Sequence, residues 1–259
     1  NVRFVEGEGP RVDPATKASD LGNVPMEKVL SRLSPVGETV ERVRSSLDGS
    51  TTLIGFAGSP WTVAVYAIEG RGGTDKSDAR RFGYEHGAEL DGMLDQLVEA
   101  STHYLVMQAK AGADALMLFE SWAEGLADDA FDRWVIQPTA KLVKNLRAMG
   151  VTLPIIGFPR GAGGLILDYA EKTGVTAVGL DTAVPLKRIA ASLPNGMPVQ
   201  GNLDPMRLVA GGSGLEARVR EIVDALRARP HIFNLGHGVV PETPIAHVEQ
   251  VLRVLKGGA

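Results

Sequence analysis

His237 stands between Gly236 and Gly238 in the segment NLGHGVVPETP, directly after a short apolar run. An imidazole near neutrality both donates and accepts protons, and flanking glycines let backbone and ring approach a ligand closely. Ser121 follows the run ALMLFE. No Gly-x-Ser-x-Gly elbow surrounds it and no His/Asp relay is readable, so its hydroxyl suits hydrogen bonding to a ligand better than nucleophilic attack. Arg160, in FPRGAGG, is an exposed cation beside a glycine-rich helix start, which fits an anion site as well as it fits a solvated surface. Asp181 and Asp204 also follow apolar runs, and each caps a turn or helix as readily as it moves a proton. Tyr66 lies within PWTVAVYAIEG, a helix opened by Pro60, and its mid-helix position alone places it in the core. The remaining histidines (His86, His103, His231 and His247) show no metal-ligand spacing such as His-Glu-x-x-His. The expected site is therefore one that works without metal or redox cofactor.

Such residues need rigid elements to bring them together. Six apolar runs recur along the chain: Leu53–Ala57, Ala115–Phe119, Pro154–Phe158, Ala177–Leu180, Pro198–Gly201 and His231–Leu235. None alternates cleanly, which is how strands buried on both faces read. Helical patterns separate them. One carries Leu90, Met93, Leu94, Leu97, Val98 and Leu105 and closes at Gly112. Another carries Val135, Leu142, Val143, Leu146 and Met149, with Pro138 expected to kink it or restart it. A third carries Leu215, Val219, Ile222, Val223 and Leu226, and a last one opens at Thr243-Pro244. Ahead of them, the stretch from Gly7 to Asp20 reads as loop, followed by two short amphipathic stretches, the second from about Pro35 to Leu47.

Alternating strands and helices predict a parallel sheet with crossover helices, either doubly wound or closed into a (β/α)8 TIM-type barrel. No Gly-x-Gly-x-x-Gly follows the first run, and GFAGSPW lacks the Lys-Ser/Thr ending of a phosphate loop, which favours the barrel. A barrel places reactive residues at the carboxy-terminal strand ends. Those ends here are Gly58-Ser59, Glu120-Ser121, Pro159-Arg160, Asp181-Thr182, Asn202 with Asp204, and Asn234 with His237. Nothing linker-like divides residues 1–259, so a single barrel domain is expected. Six runs fall short of the eight a barrel needs, so the domain is expected to lack its first strand or strands, with one or two units upstream of Asn1.

Composition narrows the function classes. Hydrophobic residues make up 44% of the 259, enough for a sizeable core. The formal charge of −4 is interspersed, with no basic stripe for nucleic acid. There is no cysteine, which removes disulfides, thiolate nucleophiles and Cys-based zinc sites and fits a cytoplasmic compartment. No run approaches the length of a membrane-spanning helix.

Taken together, LIGFAGSPWTVAVYAIEGRGG, DALMLFESWAEGL, PIIGFPRG, GLDTAVP, VQGNLDPMRL and NLGHGVVPETP resemble the uroporphyrinogen decarboxylase family. They fall in the family's order from about Leu53 to Leu252, and VRFVEGEGPRV resembles its sequence after the first barrel strand. The resemblance implies removal of CO2 from the four acetate side chains of uroporphyrinogen III, giving coproporphyrinogen III in haem biosynthesis. It also implies a homodimeric, cytoplasmic or plastid enzyme with no cofactor. In its terms Tyr66 becomes a substrate-contacting residue, joined by Ser121, His237 and a macrocycle-facing Phe119. The chemistry fits: a protonated pyrrole accepts the electrons that CO2 leaves behind. The protein then has to supply protons, stabilise a cation and hold an octacarboxylate.

The sequence departs from the family in one respect. The family's Asp in a Phe-Ser-Asp-Ile strand and its two Arg residues in an Arg-Gln-Ala-Gly-Arg-Tyr segment precede the point where this sequence starts. The 259 residues alone are accordingly expected to lack decarboxylase activity, with a longer natural chain supplying those groups. Two other readings remain. Zinc-dependent methyltransferases acting with corrinoid or thiol partners share the fold superfamily, but their His/Cys ligand set has no counterpart in a chain without Cys. A non-catalytic barrel that binds a tetrapyrrole is the other.

Overall fold

A computed structural model describes residues 2–5, 9–22 and 24–257. At the amino terminus, strands β1 (Val2–Val5) and β2 (Gly9–Val12) pair antiparallel, Arg3 opposite Arg11. The expected loop over this stretch is thus in part a hairpin. Its periodicity was too short to register, because only four residues stand on each side.

The six apolar runs all become strands of one parallel sheet: β3 (Ile54–Gly58), β4 (Ala115–Glu120), β5 (Ile155–Pro159), β6 (Ala177–Gly179), β7 (Val199–Gln200) and β8 (His231–Ile232). Each pairs with the next in chain order, from β3 through to β8. A doubly wound sheet reverses its strand order at a switch point, whereas a barrel adds each strand to the same side of the last. The unbroken order here is that of the barrel. The expectation of burial on both faces fails at the two margins of the sheet: in β3 Phe56 is 56% exposed while Gly55 and Ala57 are buried, and in β8 Ile232 is 47% exposed.

Helices cover the outer face of the sheet. Leu116 and Leu118 of β4 turn outward into the main core, where Trp61 stacks on Trp134 at 5.0 Å between ring centroids. Helix Gly87–Lys110 buries Leu90, Met93, Leu94, Val98 and Leu105, the face the spacing predicted, and the chain turns at Gly112 with φ +105°. The two stretches expected before the first parallel strand are one helix, Met26–Ser46, which runs through Pro35. Proline leaves the Ser31 carbonyl without its usual amide donor, and the Ser34 hydroxyl takes that place at 2.9 Å. Pro138 does restart a helix: it lies in the first turn of Gln137–Ala148, after a wide turn over Asp132–Ile136.

Candidate active site

Strand residues alternate between faces, so while Leu116, Leu118 and Glu120 of β4 turn outward, Met117, Phe119 and Ser121 turn inward. On the inner face Met117, Ile156, Phe158 and Ala177 form a second, smaller apolar cluster with Phe119 packed on it. Above it the Phe56, Phe119 and Phe158 rings meet edge to face at 5.7 and 6.2 Å across three adjacent strands. The result is an apolar floor at the carboxy-terminal ends of β3 to β5.

Over that floor opens a cleft of about 450 Å³, lined by Met117, Phe119, Ser121, Phe158, Gly179, Gln200, Asn234, Leu235, His237, Gly238 and Val239. It brings together three of the five residues singled out from sequence: Phe119, Ser121 and His237. Nothing among the described residues hydrogen-bonds the Ser121 hydroxyl or the His237 imidazole. Both are therefore available to a ligand. Gln200 is buried and donates weakly to the Met117 sulfur at 3.8 Å. Neither Gln200 nor Met117 was legible as a site residue, since each becomes one only through the pleat of a strand whose register the sequence does not state.

His237 is placed by the segment after β8. Leu203 N donates to the Asn234 carbonyl at 3.1 Å, and Gly236 N donates to the Leu203 carbonyl at 2.8 Å, extending the ladder past the strand's end. The two flanking glycines turn out to differ. A Cβ on Gly236 would lie 2.5 Å from the Thr182 nitrogen and 2.8 Å from the Asp181 carbonyl carbon, whereas one on Gly238 would meet nothing within 4 Å. Gly236 thus serves a close approach between two loops rather than a ligand. Burial first, and then the charge of Arg160, hold the His237 imidazole below its ordinary pKa, favouring the neutral ring.

Arg160 is not the exposed cation expected from sequence. It is half-buried, and its Nη1 donates to the Ser121 carbonyl at 3.4 Å. The strand end next to it claims part of its fork, and the glycine-rich turn after it is only a short Gly163–Leu165 segment. Tyr66 also departs from its pattern. It is 37% exposed, and its ring stands edge to face with Trp122 at 5.9 Å. It does not line the cleft, but the Trp122 it touches follows Ser121 directly. Lys76 covers that tryptophan's ring at 4.3 Å.

The two aspartates act on the backbone. Asp181 accepts from Gly161 N at 2.7 Å and from Ala183 N at 2.8 Å, pinning the turns after β5 and β6 to one carboxylate. Asp204 accepts from Met206 N at 2.9 Å and caps helix Pro205–Ala210. His231 and His247 each commit a ring nitrogen to a backbone carbonyl, of Gly201 at 2.7 Å and Leu208 at 2.9 Å. Glu120 is wholly enclosed behind the cleft, and burial pushes its carboxyl up to about 8. Among the described residues no group of three or more His, Cys, Asp or Glu converges as a metal site would require. No helix among them is long and apolar enough to cross a membrane.

Known proteins share this fold. A solved methyltransferase from Methanosarcina mazei superposes with a TM-score of 0.81 over 99% of this chain and 75% of its own, at 17% identity. A B12-independent methionine synthase from Shewanella gives 0.58 at 10% identity, over 100% of this chain and 72% of its own. At those identities the likeness is one of fold. Sequence relatives are far nearer. A protein named uroporphyrinogen decarboxylase from Hyphomonas neptunium is 59% identical over 98% of this chain and 74% of its own length. One of the same name from Caulobacter vibrioides is 50% identical over 99% of this chain and 72% of its own. The family model described as uroporphyrinogen decarboxylase (URO-D) matches residues 1–257. With a family model that spans nearly every residue and relatives this similar, the chain belongs to the uroporphyrinogen decarboxylase family.

Proposed function

We propose that this protein is a carboxy-lyase that converts the four acetate side chains of uroporphyrinogen III to methyl groups, giving coproporphyrinogen III for porphyrin biosynthesis. The observation that carries the reading is the 59% identity to a named uroporphyrinogen decarboxylase over 98% of the chain. The cleft supports it. A proton added to a pyrrole carbon next to the one bearing the acetate makes the ring an electron acceptor. The bond to the carboxylate then breaks, CO2 leaves, and its electron pair flows into the ring. The resulting exocyclic methylene takes a proton to become methyl, and the ring carbon gives its proton back. Each acetate thus consumes one proton and releases one CO2, and the pyrrole itself is the electron sink.

In this reading the aromatic floor of Phe119 and Phe158 receives the apolar face of the macrocycle and favours the cationic ring above it. Neutral His237 and the Ser121 hydroxyl offer hydrogen bonds or protons at the wall. Arg160 and Tyr66, at the margin, meet carboxylates of the substrate. The substrate's many charges also explain why one strand end carries a cation in a chain of net charge −4. A homodimer of single-domain subunits, in the cytoplasm and without nucleic-acid or membrane partners, completes the proposal.

The test is turnover by the complete gene product supplied with uroporphyrinogen under reducing conditions, with products separated by carboxylate number. Stepwise loss of four carboxylates is expected. His237→Ala should slow it by roughly 10²-fold, in the range of a lost proton-handling group. A wild-type protein that binds the substrate without releasing CO2 would instead make this a binding barrel.

A further inference from the structure

Among the described residues Glu120 is the wholly enclosed carboxyl, and it is one residue away from Ser121. Its side chain turns away from the cleft, between β4 and the helices. There the Thr62 hydroxyl donates to Glu120 Oε1, and the Ser121 amide donates to that same hydroxyl at 2.8 Å. Thr62 belongs to helix Pro60–Glu69, which also carries Tyr66. One turn earlier, Ser59 N donates to the Phe119 carbonyl at 2.9 Å, so the helix start is tied to the end of β4 twice over. At the far end of this short link, Trp122 meets Tyr66 ring to ring. The carboxyl, the hydroxyl and the amide therefore fix the separation of the two elements that present Ser121 and Tyr66.

A carboxyl is an expensive way to fill that space. A leucine of similar volume would pack against the same helices without desolvation, so a polar group kept there has another use. Among the described residues the other oxygen, Oε2, has no hydrogen-bond partner. No cation forms an ion pair with Glu120 among the described residues. The titratable group that faces it is Tyr169, which burial keeps neutral. Enclosed, and with no counter-ion, the carboxyl is stable there when protonated.

We infer that Glu120, acting through Thr62, is a positioning residue that holds the Ser121 backbone against the Tyr66 helix, and that it does so in its protonated form. The elevated carboxyl, at about 8, agrees with that state at neutral pH. Ionisation would bury a charge with no counter-ion, a cost that the stronger bond from Thr62 to a carboxylate offsets only in part, so the enclosure around the link would have to open to water. The inference rests on the proposed decarboxylation only for its kinetic readout.

Two measurements on the complete gene product test it. In the first, kcat should fall at least tenfold in Glu120→Leu and in Thr62→Val, with KM changed less than threefold. Thr62→Ser, which restores the hydroxyl, should recover most of the rate. Glu120→Gln keeps an acceptor for Thr62 without a titrating charge. It should stay within a fewfold of wild type at pH 7 and lose the fall in rate expected of wild type as pH rises through about 8. Folded Thr62→Val with a wild-type rate, or an alkaline limb unchanged in Glu120→Gln, would overturn the inference. The second measurement needs no turnover: the Ser121 amide resonance should titrate with a midpoint near 8 in wild type and stay still in Glu120→Gln. An amide that does not titrate overturns the inference even in an active enzyme. A titrating amide in a protein without turnover would uphold it while removing the decarboxylase reading.

Discussion

His237 lies in the field of Arg160, which comes from the next-but-two strand end and adds to burial in keeping the imidazole neutral. The same guanidinium reaches the Ser121 carbonyl at 3.4 Å, so one cation bears on two walls of the cleft. A neutral imidazole donates from one nitrogen and accepts at the other, which suits a site that must hand over protons and take them back.

Removing that charge should raise the imidazole's proton affinity. Arg160→Gln is expected to move the His237 titration upward, and Arg160→Lys to leave it near wild type, both followed by NMR of the ring protons. The sign is fixed: a cation disfavours a second positive charge, so its loss favours the protonated ring. In the enzyme assay the acid limb of the rate profile should move to higher pH with it. An unchanged titration would mean that burial alone governs His237.

Tyr66→Phe removes a hydroxyl and keeps the ring that meets Trp122. Because nothing among the described residues hydrogen-bonds that hydroxyl, the melting temperature should change little. Turnover should fall by roughly 3- to 10-fold, the scale of one neutral hydrogen bond of about 1 kcal/mol. A large stability loss with intact kcat in the folded fraction would return Tyr66 to a purely packing role.

The two glycines beside His237 should respond unequally. Gly236→Ala drives a methyl into the Asp181–Thr182 backbone, which cannot swing aside as a side chain can. A cost of roughly 1–3 kcal/mol is expected, together with a displaced His237 and reduced turnover. Gly238→Ala has open space around its new methyl and should be close to neutral in stability. Denaturant midpoints of the two variants, compared side by side, decide it.

Glu120 should write a slope into the pH dependence of stability. Its carboxyl is raised from 4.5 to about 8 on folding, so the folded chain holds that proton more tightly than the unfolded chain. The stabilisation is complete below about pH 4.5 and is lost as pH rises through about 8, a change on the order of a few kcal/mol. Glu120→Gln should be flatter across that window, gaining on wild type as the pH climbs. Urea unfolding at pH 5.5, 7 and 8.5 measures it, and parallel curves for the two proteins would show that Glu120 does not titrate there.

Much of this protein was decided locally and could be read from its sequence. Runs such as ALMLF and PIIGF have no polar face to offer water, so they had to become buried strands, and the intervening spacing of Leu90, Met93, Leu94 and Val98 had to become a helix over them. Ser121 and His237 could be picked out for the same reason: each follows an apolar run directly, where a parallel sheet presents its reactive ends. What the sequence could not state was which residues, distant along the chain, would face one another. Met117 and Gln200 joined the cleft because the pleat and register turned them inward. Arg160 changed from a free cation to a tethered one because Ser121 came to lie beside it. Tyr66 left the core because its helix turned that face toward Trp122. Glu120 has its character only in three dimensions, since the pKa of a carboxyl depends on the water excluded around it, and that exclusion is the work of helices far apart along the chain, Pro60–Glu69 and Ile166–Lys172.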